Sequence, residues 1–150
     1  MKRYVSKPLP VPDLDPTQIS RADVVFTGVD HSADSYEARV FVGNQRANLD
    51  TPRDPERGYA GSFTVFGHGG CFGEPGHCDP ELGYRDDFDV RPPHPLRPLT
   101  KTVRITDALK RRAASGDVVI TVVASDGRGE KPVASDAMKF EELRLLVYSD

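Results

Sequence analysis

Tryptophan is absent from this sequence of 150 residues, which contains only two cysteines, two methionines and four histidines. Long apolar runs are absent too, because no segment approaches the roughly 20 consecutive apolar residues that a membrane-spanning helix needs. A proline-rich stretch, rather than the apolar core of an export signal, follows the first residues. We therefore expect a cytoplasmic protein with no membrane contact, or one exported in complex with a partner that carries the signal.

The sequence also lacks a large excess of charge of one sign. The formal net charge is −3 at pH 7. The basic run Lys110–Arg112 is more typical of a solvated helix face than of a nucleic-acid surface, which needs a broad basic patch. Nucleic acid is therefore not an expected partner. The length suits one domain of ordinary size.

Motifs of common enzymes are missing from the sequence. It has no Gly-x-Ser-x-Gly nucleophile elbow, no glycine-rich phosphate loop and no His-Glu-x-x-His metal helix. Adjacent carboxylates occur at Asp86-Asp87 and Glu141-Glu142, but neighbours on a strand point to opposite faces, so these pairs are poor acid–base machinery. The sequence favours a protein that is not an enzyme.

Proline and glycine divide the chain into segments. Four prolines in residues 1–21 predict an extended, polyproline-like leader, followed by a single domain over residues 22–150. Residues 67–98 hold many of the remaining prolines and glycines and show no periodicity. A stretch of this length without periodicity is typical of a functional or disordered loop.

Short runs of alternating or β-branched residues predict strands. They lie at residues 23–29, 35–42, 59–66, 99–105, 117–124 and 138–148. One short helix is predicted at 107–112, with Thr106 as its N-cap and Gly116 beyond its end. Six or seven short strands without βα alternation predict an all-β, antiparallel sandwich or barrel.

Alternation also assigns the faces of two strands. In the second run, Glu37 and Arg39 are predicted to lie on one face, and the apolar face opposite to them consists of Tyr36, Ala38, Val40 and Val42. In the last run, the predicted inner face consists of Leu143, Leu145 and Val147.

Soft metal ligands are concentrated at the start of the 67–98 excursion. His68, Cys71, His77 and Cys78 lie within eleven residues, and thiolates with imidazoles select copper(I) or zinc. His94 is an additional or substitute ligand. The same residues leave two alternatives open: a Cys71–Cys78 disulfide, or free thiols beside unrelated histidines. A blue-copper site is disfavoured, because no short Cys-to-His-to-Met run lies near the C-terminus.

Apolar side chains occur in the same excursion. Exposed apolar groups often mark a contact surface, so this set predicts contact with a partner protein, although it would equally serve to hold the loop on its own domain. The set comprises Phe72, Leu82, Tyr84 and Phe88.

Several blocks together resemble the C-terminal domain of plant polyphenol oxidases, a domain of the tyrosinase family named for a Lys-Phe-Asp-Val strand motif. Tyr59–Phe63 closely matches the family's Phe-Ala-Gly-Ser-Phe block, and His68 matches the histidine that follows it. Residues 36–42 correspond to the motif strand, in degraded form. The blocks at 103–109, 117–123 and 138–147 follow in the family's order.

The resemblance implies a jelly-roll-like β-sandwich that is not itself catalytic. Such a domain covers the entrance to the dicopper site of a tyrosinase-like enzyme and in some relatives helps to deliver copper. The family's dicopper site uses three histidines for each copper ion, which the four histidines here cannot supply. In this sequence no dicopper domain precedes the blocks, and the 67–98 excursion is longer than in the plant pattern.

The expected function is therefore that of an accessory, shielding partner of a tyrosinase-like dicopper oxidase, with copper as its ion and zinc as the alternative. Two other functions stay open. One is an independent copper-binding, zinc-binding or electron-transfer β-sandwich protein. The other is a structural interaction domain in which Cys71 and Cys78 form a disulfide.

Overall fold

A computed structural model describes residues 1–69, 87–88, 90, 96–112, 116–133 and 136–149. Within these residues the chain forms seven strands, one short α-helix and two single-turn 3₁₀ helices, at Pro16–Gln18 and Pro55–Arg57. In chain order the main elements are β1 (Arg3–Val5), β2 (Ile19–Val29), β3 (Tyr36–Val42), β4 (Tyr59–Val65), β5 (Leu99–Arg104), α1 (Thr106–Lys110), β6 (Ile120–Asp126) and β7 (Glu142–Ser149).

The strands form two sheets, and every pairing is antiparallel. One sheet has the strand order β1-β6-β3-β4, and the other has the order β5-β2-β7. The predicted all-β antiparallel sandwich is confirmed.

The core lies between the two sheets. Phe26 of β2 packs against Phe63 of the opposite sheet, with ring centroids 4.8 Å apart, and against Phe140, at 5.2 Å. Tyr36 and Val40 are buried on the inner face of β3, as predicted. The inner face predicted for the last strand is also confirmed, because its three members pack against this core.

The N-terminal segment contributes a strand that the sequence analysis missed. β1 pairs with β6, with Arg3 opposite Val123, and Leu9 forms an isolated bridge with Val118. So short a strand forms here because the exposed edge of β6 supplies the template for pairing. The division into a leader at 1–21 and a domain at 22–150 remains a prediction, and the structure adds that the leader lies along the sandwich.

The helix differs from its prediction at both ends. α1 begins at Thr106 and ends at Lys110, and Ile105 in the N-cap position has no capping side chain. Thr106 does not cap the helix, because its hydroxyl accepts a hydrogen bond from the backbone N–H of Ala22 at 3.0 Å, near the start of β2. Among the described residues no helix has the length and apolar character needed to cross a bilayer.

The last two strands begin later than predicted. β6 begins at Ile120 rather than at residue 117, because Val118 is engaged with Leu9 of the leader. β7 begins at Glu142, because Ala137 and Met138 are buried in the core rather than paired in a sheet.

Candidate functional site at the base of the 67–98 excursion

Two histidines that are distant in sequence meet at one end of the sandwich. His31 lies in the connection between β2 and β3, and His68 lies three residues after β4. Their ring centroids are 5.0 Å apart and the rings are nearly perpendicular, at 81°. The pair stands where the 67–98 excursion leaves the sandwich.

The hydrogen bond of His31 determines its tautomer. Nε2 lies 2.9 Å from the carbonyl oxygen of Arg97, and a carbonyl can only accept, so Nε2 carries the proton. In a neutral imidazole the other nitrogen, Nδ1, then keeps a lone pair. A ring held in this way is suited to act as a metal ligand or as a hydrogen-bond acceptor.

The segment that carries His68 is attached to the turn that carries His31 by backbone hydrogen bonds. His68 N–H donates to the carbonyl of His31 at 2.8 Å, and Gly69 N–H donates to that of Ala33 at 2.7 Å. A Cβ on Gly67 would lie 2.1 Å from the Ala33 carbonyl oxygen, and one on Gly69 would lie 2.8 Å from the Ala33 carbonyl carbon. Only glycine fits this close approach, which explains the Gly-His-Gly pattern around His68.

An exposed aromatic side chain lies next to the two imidazoles. Phe66 is 79% exposed, and its ring centroid lies 5.7 Å from that of His68, edge to face. A phenylalanine this exposed gains little from core burial, and exposed apolar groups often mark a contact surface. Phe66 and the two histidines are called the His31–His68 site below.

Negative charge borders the site on the side of β2. The backbone N–H of Ser32 donates to the carboxylate of Asp30 at 2.8 Å. This hydrogen bond keeps the pKa of Asp30 below its ordinary value, although partial burial acts in the opposite direction. The positive charge of nearby Lys139 lowers the pKa further. Asp30 is therefore ionised at neutral pH, and its charge favours cations near His31.

Of the predicted metal ligands, the structure places His68 alone. Cys71, His77, Cys78 and the additional ligand His94 lie outside the described residues, so metal binding and the alternative disulfide both stay predictions. Within the described part of the chain, no three His, Cys, Asp or Glu side chains are grouped so that they could hold a metal ion.

The predicted partner-contact residues have a similar outcome. Phe88 is described and is 90% exposed, whereas Phe72, Leu82 and Tyr84 lie outside the described residues. The role of this set in partner contact stays a prediction.

Sequence reasoning missed His31 and Phe66 as members of the site. A usable signal lay in the strand pairing: Tyr36 is opposite Val65 in the β3–β4 register. Antiparallel pairing of these two strands places the residues before Tyr36 beside those after Val65, so it brings His31 near His68.

A second polar cluster lies on the outer face of β3, and its role is structural. Glu37 Oε2 accepts from Arg53 Nη2 at 2.6 Å and from Arg39 Nε at 3.3 Å. Arg39 also donates to the carbonyls of Leu49, in the loop before β4, and Gly129, in the turn after β6. These bonds fasten two connections onto the sheet and bury both charged side chains.

The fold is similar to solved structures of a polyphenol oxidase. A structure of latent aurone synthase (polyphenol oxidase) from natural source superposes with a TM-score of 0.59 at 14% sequence identity, covering 99% of this chain and 25% of that one. Recombinantly expressed latent aurone synthase gives a TM-score of 0.58 at 13% identity, with 99% and 25% coverage. The chain therefore spans about a quarter of the length of these enzymes, and at this identity the likeness establishes the fold alone.

No protein-family model and no curated protein sequence matches the chain. The structural likeness is consistent with the resemblance to the C-terminal domain of polyphenol oxidases, and this domain is the part of the family to which the sequence blocks pointed.

Proposed function

We propose that this chain is a non-catalytic accessory domain that binds a tyrosinase-like dicopper oxidase and shields its active site. The observation that carries the proposal is the structural likeness of nearly the whole chain to one quarter of a polyphenol oxidase that is described as latent. We take the matched quarter to be a non-catalytic portion of that enzyme, and such a portion is a natural candidate for the part that keeps the enzyme latent.

The His31–His68 site supplies the surface for this contact. Phe66 is presented to solvent beside two imidazoles, at the end of the sandwich from which the excursion with Phe88 departs. Aromatic side chains are favoured as interface anchors, because they bury a large apolar area with few rotatable bonds.

Copper handling is the finer part of the proposal. The predicted ligands His68, Cys71, His77 and Cys78 have the donor chemistry that copper(I) prefers, with zinc as the alternative ion. The structure adds His31, whose Nδ1 keeps a lone pair and whose ring lies 5.0 Å from that of His68. When bound, copper(I) would be cargo for the partner enzyme rather than a catalyst on this chain.

The shielding proposal is tested by adding the purified protein to a tyrosinase-like dicopper oxidase from the same organism and measuring diphenol oxidation. We expect saturable inhibition, which Phe66→Ala weakens roughly tenfold because an interface anchor is removed. The matched control is Tyr148→Ala, which removes a half-exposed aromatic side chain from β7 and should inhibit like the unaltered protein. Absence of inhibition, or equal losses in both variants, would contradict the proposal.

Copper handling is tested separately, by titration with copper(I) and by mass spectrometry under native conditions. We expect Cys71→Ser/Cys78→Ser to abolish stoichiometric binding while the sandwich stays folded, and His31→Ala to weaken binding. Unchanged affinity in the cysteine variant contradicts the copper site. A mass lower by two hydrogens in the metal-free protein supports the disulfide instead, and copper binding without any affinity for a dicopper oxidase supports an independent metal-binding protein.

A further inference from the structure

A cleft of about 590 Å³ lies at the opposite end of β2 from the His31–His68 site. The start of β2, the end of β5, the start of β4 and the short helix α1 form its walls. Its polar lining residues include Ser20, Arg21, Tyr59, Arg104, Asp107 and Arg111. Its volume is in the range of small-molecule sites.

The charge of the lining is predominantly positive. Arg21, Arg104 and Arg111 come from three separate segments of the chain, and Asp107 is the acidic residue among the lining residues. Neither Arg104 nor Arg111 forms an ion pair with another residue of the described part of the chain. Arg104 and Arg111 thus line one cleft, and within the described residues neither of their charges is neutralised by an ion pair.

Arg21 is held in place by its neighbours. Its Nε donates to Asp23 Oδ2 at 2.7 Å, and its guanidinium carbon lies 6.0 Å from the ring centroid of Tyr148. Asp23 is opposite Arg104 in the β2–β5 register, yet its carboxylate pairs with Arg21. Among the described residues, Asp23 therefore does not compete with a ligand in the cleft for the Arg104 side chain.

We infer that this cleft binds a small multivalent oxyanion, of the phosphate or polycarboxylate class. Guanidinium groups form paired, charge-assisted hydrogen bonds with such oxygens, and arginines on different segments can approach one anion from several sides. Two residues with uncharged polar side chains, Ser20 and Tyr59, also line the cleft. The inference rests on the cleft alone and is independent of the proposed partner.

Calorimetric titration with inorganic pyrophosphate and, separately, with citrate tests the inference in low-salt buffer. We expect one saturable site that weakens with added salt, because exposed charges are screened. Arg104→Ala/Arg111→Ala should weaken binding roughly a hundredfold, at about tenfold for each arginine whose charge-assisted hydrogen bonds are removed. The control Arg144→Ala removes an exposed arginine that does not line the cleft and should leave affinity unchanged.

The two probes distinguish the source of the anion. Binding of pyrophosphate alone assigns a phosphate-type ligand, and binding of citrate alone assigns a carboxylate ligand. Failure of both probes to bind overturns the inference. An equal loss of affinity in the double variant and in the Arg144→Ala control also overturns it, because that pattern indicates non-specific charge attraction. The proposed inhibition of the dicopper oxidase involves the other end of β2, so Arg104→Ala/Arg111→Ala should inhibit the oxidase normally. The anion-binding proposal and the shielding proposal can therefore fail independently.

Discussion

Tyr36 places a phenol hydroxyl inside the sandwich, close to the His31–His68 site. The hydroxyl oxygen is buried and has no hydrogen-bond partner among the described residues. Burial, with a smaller contribution from the charge of Asp30, raises the pKa of Tyr36 from its ordinary value near 10 to about 12. A buried hydroxyl without a partner costs the folded state about 1–3 kcal/mol, so Tyr36 is stabilising through its ring and destabilising through its oxygen.

Tyr36→Phe should therefore raise the free energy of unfolding at pH 7 by about 1 kcal/mol, because the ring is kept and the desolvated hydroxyl is removed. A larger difference should appear at high pH. The neutral phenol of the folded state is favoured up to about pH 12, whereas the unfolded chain ionises near pH 10. The unaltered protein thus loses stability between these values, and the variant lacks this loss.

Denaturant unfolding of both proteins at intervals between pH 8 and about pH 12 measures this difference. Parallel stability curves across the range would show that the Tyr36 hydroxyl is solvated or hydrogen-bonded in solution. Val40→Ala, which opens a cavity on the same strand face, serves as a control: it should lower stability by a constant amount at every pH.

β3 is an element with two buried faces, although its sequence alternates like a strand with one face in water. Glu37 and Arg39 are covered by the connections that they fasten, and their side chains are 11% and 7% exposed. Burial by itself would raise the pKa of Glu37. The hydrogen bond from Ser62 and the charges of Arg53 and Arg39 outweigh burial and hold the pKa of Glu37 below its ordinary value.

Glu37→Gln should destabilise the fold by about 3 kcal/mol at pH 7, because Arg39 is left buried without its anion. The contribution of Glu37 is fully present above the ordinary pKa of 4.5 and is lost as the pH falls through the lowered folded value. The stability gap between the two proteins should therefore close in acid. Thermal unfolding at pH 7 and pH 3 measures the gap.

Glu142→Gln is the matched control for this element. Glu142 also pairs with an arginine, Arg144, but both side chains are exposed on β7, and exposed pairs contribute little to stability. A control as destabilised as Glu37→Gln would show that burial of the Glu37 pair is not the cause of its effect.

The N-terminal segment covers one edge of the sandwich and contributes to the stability of the whole domain. β1 covers the edge of β6, and the partly buried Leu9, Val11 and Leu14 pack against the core that both sheets share. An uncovered edge strand is a template for pairing with other chains. The leader thus contributes both apolar burial and protection of an edge.

Replacing residues 1–12 by a glycine–serine segment of equal length should lower the free energy of unfolding by about 3 kcal/mol, because the partial burial of several apolar side chains is removed. It should also promote association through the freed edge of β6. Chemical denaturation measures the stability, and light scattering measures the association. A monomeric variant of unchanged stability would show that the leader does not pack on the sandwich in solution.

The His31–His68 site and the arginine-lined cleft lie at opposite ends of β2, which spans eleven residues and hence roughly 35 Å at the usual strand rise. The first carries an exposed aromatic group, and the second carries arginines. At this separation, the proposed contact with an enzyme would leave the proposed anion site open.

The fold class could be predicted from residue patterns, because the period-two alternation of short segments is a local property. Alternation places Tyr36 and Val40 on the inner face of β3 and Glu37 and Arg39 on the outer face. The structure agrees for all four residues. Helix boundaries and strand starts were less well predicted, since Thr106 and Val118 are engaged by backbone from distant parts of the chain.

Which groups meet depends instead on long-range packing. His31 joins His68 because the β3–β4 pairing returns the chain to the same end, and the arginines share a cleft because β2, β5 and α1 converge there. A polar face such as that of Glu37 has the same residue pattern whether water or a loop covers it. Contacts between distant segments decide whether water or a loop covers such a face, and the local residue pattern is the same in both cases.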